Sequence, residues 1–248
     1  MNEKKFPLKM EDLTQEELIV WVMEGFRRTL IHYGCWFREV DYQVGIRRAT
    51  EIESEAGDLS WQIMIKRLAG LFGLELENGV PKALKAMSKE KLINVIDAVA
   101  VNWLANDGVW FQTVEKHYGM DYAKRSNDTC WARFSPYEAH RIMRLLGLPK
   151  SPGLEGLKVA LGFRMYARVN KQSLEEVDEK TIIFRMNDCR VQSARKRKGL
   201  PDYPCKSVGM VEYPFFAETI DERIKTECLG CPPDHHPDQW YCAWKFSL

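Results

Sequence analysis

The sequence holds no apolar run long enough to span a bilayer, so no membrane partner is expected. Its opening, MNEKKFPLKMEDL, has no apolar signal core and no small-residue cleavage site, and the chain is expected in the cytoplasm. Charge of one sign is also lacking: 36 basic residues face 35 acidic ones, for a net charge of +1. That balance gives no general drive toward nucleic acid, and none is expected as a partner. A second CxxC pair is missing, which withholds the strong signature of a structural zinc site. So is the Glu-x-x-His run that marks a two-metal helical bundle, so Asp41, Glu115 and His32 are read as ordinary polar positions.

A duplication is present instead. Thr14 matches Ser88, 74 residues on, and the same offset carries Leu18 to Leu92, Gly34 to Gly108, Trp36-Phe37 to Trp110-Phe111, and Gly45 to Gly119. Trp61 and Trp131 break it, which predicts compensating insertions between them. Thr14 and Ser88 are good N-caps, since a side-chain oxygen accepts a free first-turn N–H. Glu17 completes a capping box in the first copy. Gly34 and Gly108 are read as the ends of the first helices, giving each copy a hairpin plus a third helix. SNDTCW, around Cys130, is read as a helix-cap turn holding a buried thiol. The domain division follows: a duplicated helical region over 1–150, with repeats about 14–74 and 88–148, then a cysteine-rich module over 151–248. Trp36, Phe37, Trp110 and Phe111 are core anchors or line a small-molecule pocket between the copies.

The character changes after Pro152. Residues 153–169 have helical spacing, and KTIIFRMNDC alternates with period two, placing Ile182, Phe184 and Met186 on one face of a strand. Asp188 is read as the cap of a helix beginning at Cys189 and stopped by Gly199 and Pro201. The basic run Arg195 to Lys198 then complements that helix's C-terminal dipole. SVGMVEYPFFAETID is helical with an interruption at Pro214, and ERIKTEC and WYCAWKFSL close the chain as strands. The fold class is α+β, mostly helical, with a short antiparallel sheet in the C-terminal module.

Five of the seven cysteines lie in this module: Cys189, Cys205, Cys228, Cys231 and Cys242. Cys228-Leu-Gly-Cys231 has the spacing of a metal knuckle, and Gly230 eases its turn. The remaining ligands would come from Cys189, Cys205, Cys242, His235 or His236, with Cys242 brought beside Cys228 by strand pairing. Zinc is the first expectation and an iron–sulfur cluster the alternative, because both take thiolates. Cys189, at a helix N-terminus, is also a candidate nucleophile. Glu212 and Asp234 are possible acid–base groups.

The run from Asn187 to Phe246, the repeated WF pairs and NDTCW together resemble an uncharacterised bacterial domain family labelled only "cytosolic protein". The order Cys189, Cys205, Thr226, Cys242-x-x-x-Phe246 is similar to L-2-amino-thiazoline-4-carboxylic acid hydrolase-like proteins and to vinyl-reductase-type small-molecule-binding domains. That resemblance implies an α+β ligand-binding module with cysteines around a pocket or metal. The expected function is a metal-binding protein, zinc first, with a small-molecule pocket. A thiol- or metal-dependent hydrolase of a small heterocycle or amide is one alternative, and an iron–sulfur redox or sensor protein is the other.

Overall fold

The computed structural model describes residues 9–199 and 202–248. A short 3-10 turn, Met10–Asp12, leads into α1, Gln15–Val44, and α2, Ile46–Phe72. A small hairpin, β1 (Leu76–Glu77) and β2 (Val80–Pro81), precedes α3 (Lys82–Lys85). Then come α4, Lys89–Tyr118, and α5, Met120–Leu146. The duplication is visible in these bounds. α1 and α4 both have 30 residues, α2 and α5 both have 27, and every boundary keeps the offset read from sequence.

The caps form as the residues predict. Thr14 Oγ1 accepts from Glu17 N–H at 3.3 Å, and Glu17 accepts from Thr14 N–H at 3.0 Å. Ser88 Oγ accepts from Lys91 N–H at 3.2 Å. The helix ends differ from the reading. Gly34 and Gly108 lie inside continuous helices; a lone glycine costs a helix only about 1 kcal/mol relative to alanine. The stops are Gly45 and Gly119, at φ of 80° and 82°, a region L-residues rarely adopt. Each copy is therefore two long helices joined at one glycine. No insertion separates Trp61 from Trp131, because α2 and α5 have equal lengths. SNDTCW is interior to α5, and Cys130 is exposed on it.

The chain divides into two compact units, one ending at Glu53 and one running from Ser54 to Leu248, so the boundary falls within α2. In the first, Tyr33 donates to Glu53 at 2.7 Å. In the second, α2 meets α5 through Ser54 and His140 at 3.1 Å and through Arg144 donating to Asp58 at 2.5 Å.

The rest of the second unit supplies the sheet. α6 (Gly153–Phe163) and α7 (Met165–Val169) divide the single helix expected there. Strands β3 (Lys171–Asp178), β4 (Thr181–Asp188), β5 (Lys225–Gly230) and β6 (Cys242–Ser247) form an antiparallel sheet in the order β3-β4-β6-β5. Between β4 and β5 lie α8, Arg190–Arg197, and α9, Lys206–Ile220. Ile182, Phe184 and Met186 are buried on one face, as alternation predicts, with Trp244 and Phe246 beside them. α9 packs closely on that face. Tyr213 stacks on Trp244 with centroids 4.6 Å apart, and a Cβ at Gly209 would come within 2.5 Å of the Trp244 ring.

α9 runs through Pro214 without the expected interruption. Proline removes the N–H that would reach the Met210 carbonyl, and the buried packing of Tyr213, Phe216, Ala217 and Ile220 holds α9 across that one missing hydrogen bond. Pro201, read as part of a helix stop, lies outside the described residues. Among the described residues no helix is long and apolar enough to cross a membrane.

Candidate functional site

The second unit contains a cavity of about 540 Å³, within the usual range for small-molecule pockets. Its walls come from α4, α5, α7, α8, α9 and the ends of β4 and β6. Cys189, Cys205, Cys231 and Cys242 all line it, each from a different place in the fold. Cys189 is the N-cap of α8, one position earlier than the reading that made it the first helical residue. Cys205 is the N-cap of α9, Cys231 follows β5, and Cys242 begins β6.

Local chemistry ties the four together. Burial, with Cys205 adding to it, pushes the Cys189 thiol up to about 12, although backbone N–H groups of Gln192 and Val191 point at its sulfur. Hydrogen bonds with Cys205 and Cys242, together with burial, hold the Cys231 thiol protonated. Gln192 Nε2 donates to Cys205 Sγ at 3.1 Å. Cys228 lies outside this cavity, half-buried on β5 and opposite Trp244 rather than Cys242. Cys242 instead pairs with Met186 of β4. Of the Cys228–Cys231 pair, Cys231 alone lines the cavity.

His235 is exposed, and His236 has its Nε2 at 3.2 Å from Asp202 and its Nδ1 at 3.0 Å from the Pro237 carbonyl. Among the described residues, no group of three or more His, Cys, Asp or Glu side chains is arranged to hold a metal ion. Of the four aromatic candidates, Phe111 lines the cavity and packs edge-on to Tyr203, centroids 5.0 Å apart. Trp110 is exposed, and Trp36 and Phe37 lie on α1 in the other unit. Asp234 is bound by Lys206 at 2.6 Å, outside the cavity, whereas Glu212 lines it.

Beneath the cavity is a buried ionic group that the sequence reading missed. Arg164 is 2 % exposed. Its Nε donates to Glu138 at 2.8 Å and its guanidinium meets Glu212 at 2.8 Å. Glu138 also accepts from Met165 N–H at 3.1 Å. The guanidinium lies over Phe216 at 4.6 Å and near Tyr166, Tyr213 and Trp131 at 5.5–5.8 Å. Burial lifts Glu212 to about 7, against the opposing pull of Arg164. The same effect raises Asp107 on the cavity wall, offset in part by a hydrogen bond with Trp131. The overlooked signal was one arginine in the otherwise apolar run VALGFRMYA, where a lone charge implies a buried partner.

A family model described as Family of unknown function (DUF6125) matches residues 85–248. The chain belongs to that family. Its matched region includes every residue of the cavity and begins with the second helical copy. No curated protein and no solved structure matches the chain, and the resemblance to thiazoline hydrolase-like domains finds no support in these comparisons.

Proposed function

We propose that this chain is a small-molecule-binding protein whose pocket wall carries a thiolate metal site, with zinc as the first metal. The supporting observation is the meeting of Cys189, Cys205, Cys231 and Cys242, from four separate elements, on one cavity of about 540 Å³. Four sulfurs are the donor set that zinc takes in closed sites. Backbone N–H groups directed at the Cys189 sulfur and the Gln192 amide directed at the Cys205 sulfur are the kind of donors that surround metal-bound sulfur. The hydrogen-bonded thiols are the protonated form of this cluster, and metal binding would release those protons to solvent. Tetrahedral thiolate sites hold sulfurs roughly 3.8 Å apart, near the reach of a sulfur hydrogen bond, so side-chain rotation would convert one arrangement to the other.

A second reading, a metal-assisted hydrolase of a small heterocycle or amide, draws on Glu212. A carboxyl lifted to about 7 on a cavity wall has the pKa of an effective general base near neutral pH. Cys189, lifted to about 12, is mostly protonated at neutral pH and does not favour a thiol-nucleophile version.

Protein purified anaerobically without a histidine tag, then analysed for metals, tests the first reading. One zinc per chain, lost in C205S and C231S, is expected. Substoichiometric metal of every kind would contradict it. Iron with acid-labile sulfide and a brown colour would move the assignment to a cluster.

A further inference from the structure

The buried ionic group at the cavity floor has two carboxylates, Glu138 and Glu212, on one cation, Arg164, beside an aromatic wall, and we infer that the cavity's ligand is a small organic amine with a planar apolar body, its protonated nitrogen set between Asp107 and Glu212. This inference rests on the small-molecule reading above and is independent of the metal. Three carboxyl groups, Asp107, Glu138 and Glu212, stand in or under the cavity, and Arg164 is the cation that pairs with the last two. The pairing is incomplete. Glu212 is 5 % exposed and lines the cavity, and it shares the one Arg164 guanidinium with Glu138. Asp107 takes the Trp131 indole N–H, and no lysine or arginine pairs with it among the described residues. Two buried carboxylates sharing one cation leave a net negative charge that is costly away from water, and a ligand ammonium would balance it.

The aromatic wall suits the same charge. Trp131 and Tyr166 stack in parallel at 5.2 Å, and with Tyr213 they line the cavity. Their rings already hold the Arg164 guanidinium, so they form an environment that stabilises cations. A second cation on the cavity side would meet the same rings, with a flat apolar body stacked against them. Besides half-buried Glu115, the cavity is lined by half-buried Arg195 and by exposed Arg190 and Lys198, three cations on α8 and at its C-cap. Their charge opposes a cation at the mouth and orients an amine with its nitrogen inward.

Calorimetric titration of the full chain with three probes of one shape tests this. The probes are tryptamine, its neutral alcohol tryptophol, and indole-3-propionate. Tryptamine should bind at least about tenfold more tightly than tryptophol, and the propionate most weakly. D107N and E212Q should each bring the amine-to-alcohol ratio toward one. Near-UV circular dichroism checks that each variant is folded, and D107N, less buried than E212Q, keeps the test open if E212Q unfolds. Equal or tighter binding of tryptophol or propionate overturns the inference while leaving the pocket in place. So does an amine preference that survives both substitutions. Binding of none of the three overturns the small-molecule reading and this inference with it.

Discussion

Gln192 and Cys205 are joined side chain to side chain, Nε2 to Sγ at 3.1 Å, across the gap between α8 and α9. The same amide donates to the Tyr203 carbonyl and accepts from the Tyr203 N–H, both at 2.8 Å. Gln192 is 1 % exposed, so this one residue fixes the segment that carries Cys205 into the cavity. Q192L should lower stability by about 1–3 kcal/mol, because it leaves the buried Tyr203 N–H unpaired and takes one donor each from the Tyr203 carbonyl and the Cys205 sulfur. If zinc is bound, its affinity should fall by roughly 10–100-fold at unchanged stoichiometry, as for outer-shell partners elsewhere. Denaturant titration and competition with a zinc chelator measure the two effects. A variant with unchanged zinc affinity would remove Gln192 from the proposed site.

Arg164 is the centre of the buried charge. R164L leaves Glu138 and Glu212 facing each other in a dry site and should cost about 3–5 kcal/mol. Adding E138Q and E212Q to R164L should recover a large part of that loss, since no buried charge then remains unpaired. Chemical denaturation of the single and triple variants gives the comparison. A triple variant as unstable as R164L would show that shape, not charge, is what Arg164 supplies.

Glu212 makes stability depend on pH. Its carboxyl is lifted from 4.5 to about 7 by burial, so between those values the folded chain binds a proton that the unfolded chain has released. The group's contribution is therefore greatest at low pH, declines as pH rises through that window, and is flat above it. The stability of E212Q relative to the parent should improve from about pH 5 to about pH 8, by on the order of 2–3 kcal/mol. Urea midpoints at several pH values measure it. A difference that does not change with pH would contradict the burial of an under-compensated acid.

The helix breaks give a paired prediction. Gly119, at φ 82°, joins α4 to α5, and G119A should cost about 1–3 kcal/mol through backbone strain. G34A, inside α1 with open space around the new Cβ, should instead be neutral or add up to about 1 kcal/mol. Helix melting followed by circular dichroism separates the two. Equal effects would place the hinge wrongly.

The sequence carried the repeat and its caps because both are local: an offset of residue types, and a hydroxyl three residues before an N–H. It misplaced the helix ends because Gly34 and Gly45 are identical in type and differ only in backbone angle. Strand β3 was missed because KQSLEEVD is a mostly exposed edge strand with no apolar alternation to read. Strand β4 was plain because its buried face alternates strictly. The cysteines were visible as a group, but which four share a cavity depends on register and on the ends of α8 and α9. Cys228 lies opposite Trp244 and within electrostatic reach of Cys242, and a bulge between Cys228 and Gly230 sets Gly230 opposite Ala243. The Glu138–Arg164–Glu212 contact joins residues from α5, α9 and the break between α6 and α7, which no spacing rule connects.

The convergence of four sulfurs is tested most directly by mapping alkylation site by site, with mass spectrometry, on reduced full-length protein before and after metal removal. The account predicts that exposed Cys35 and Cys130 label in both states, while Cys189, Cys205, Cys231 and Cys242 are protected together and become reactive together when the metal is withdrawn. Four sites that react at independent rates, unchanged by chelator or added zinc, would contradict it.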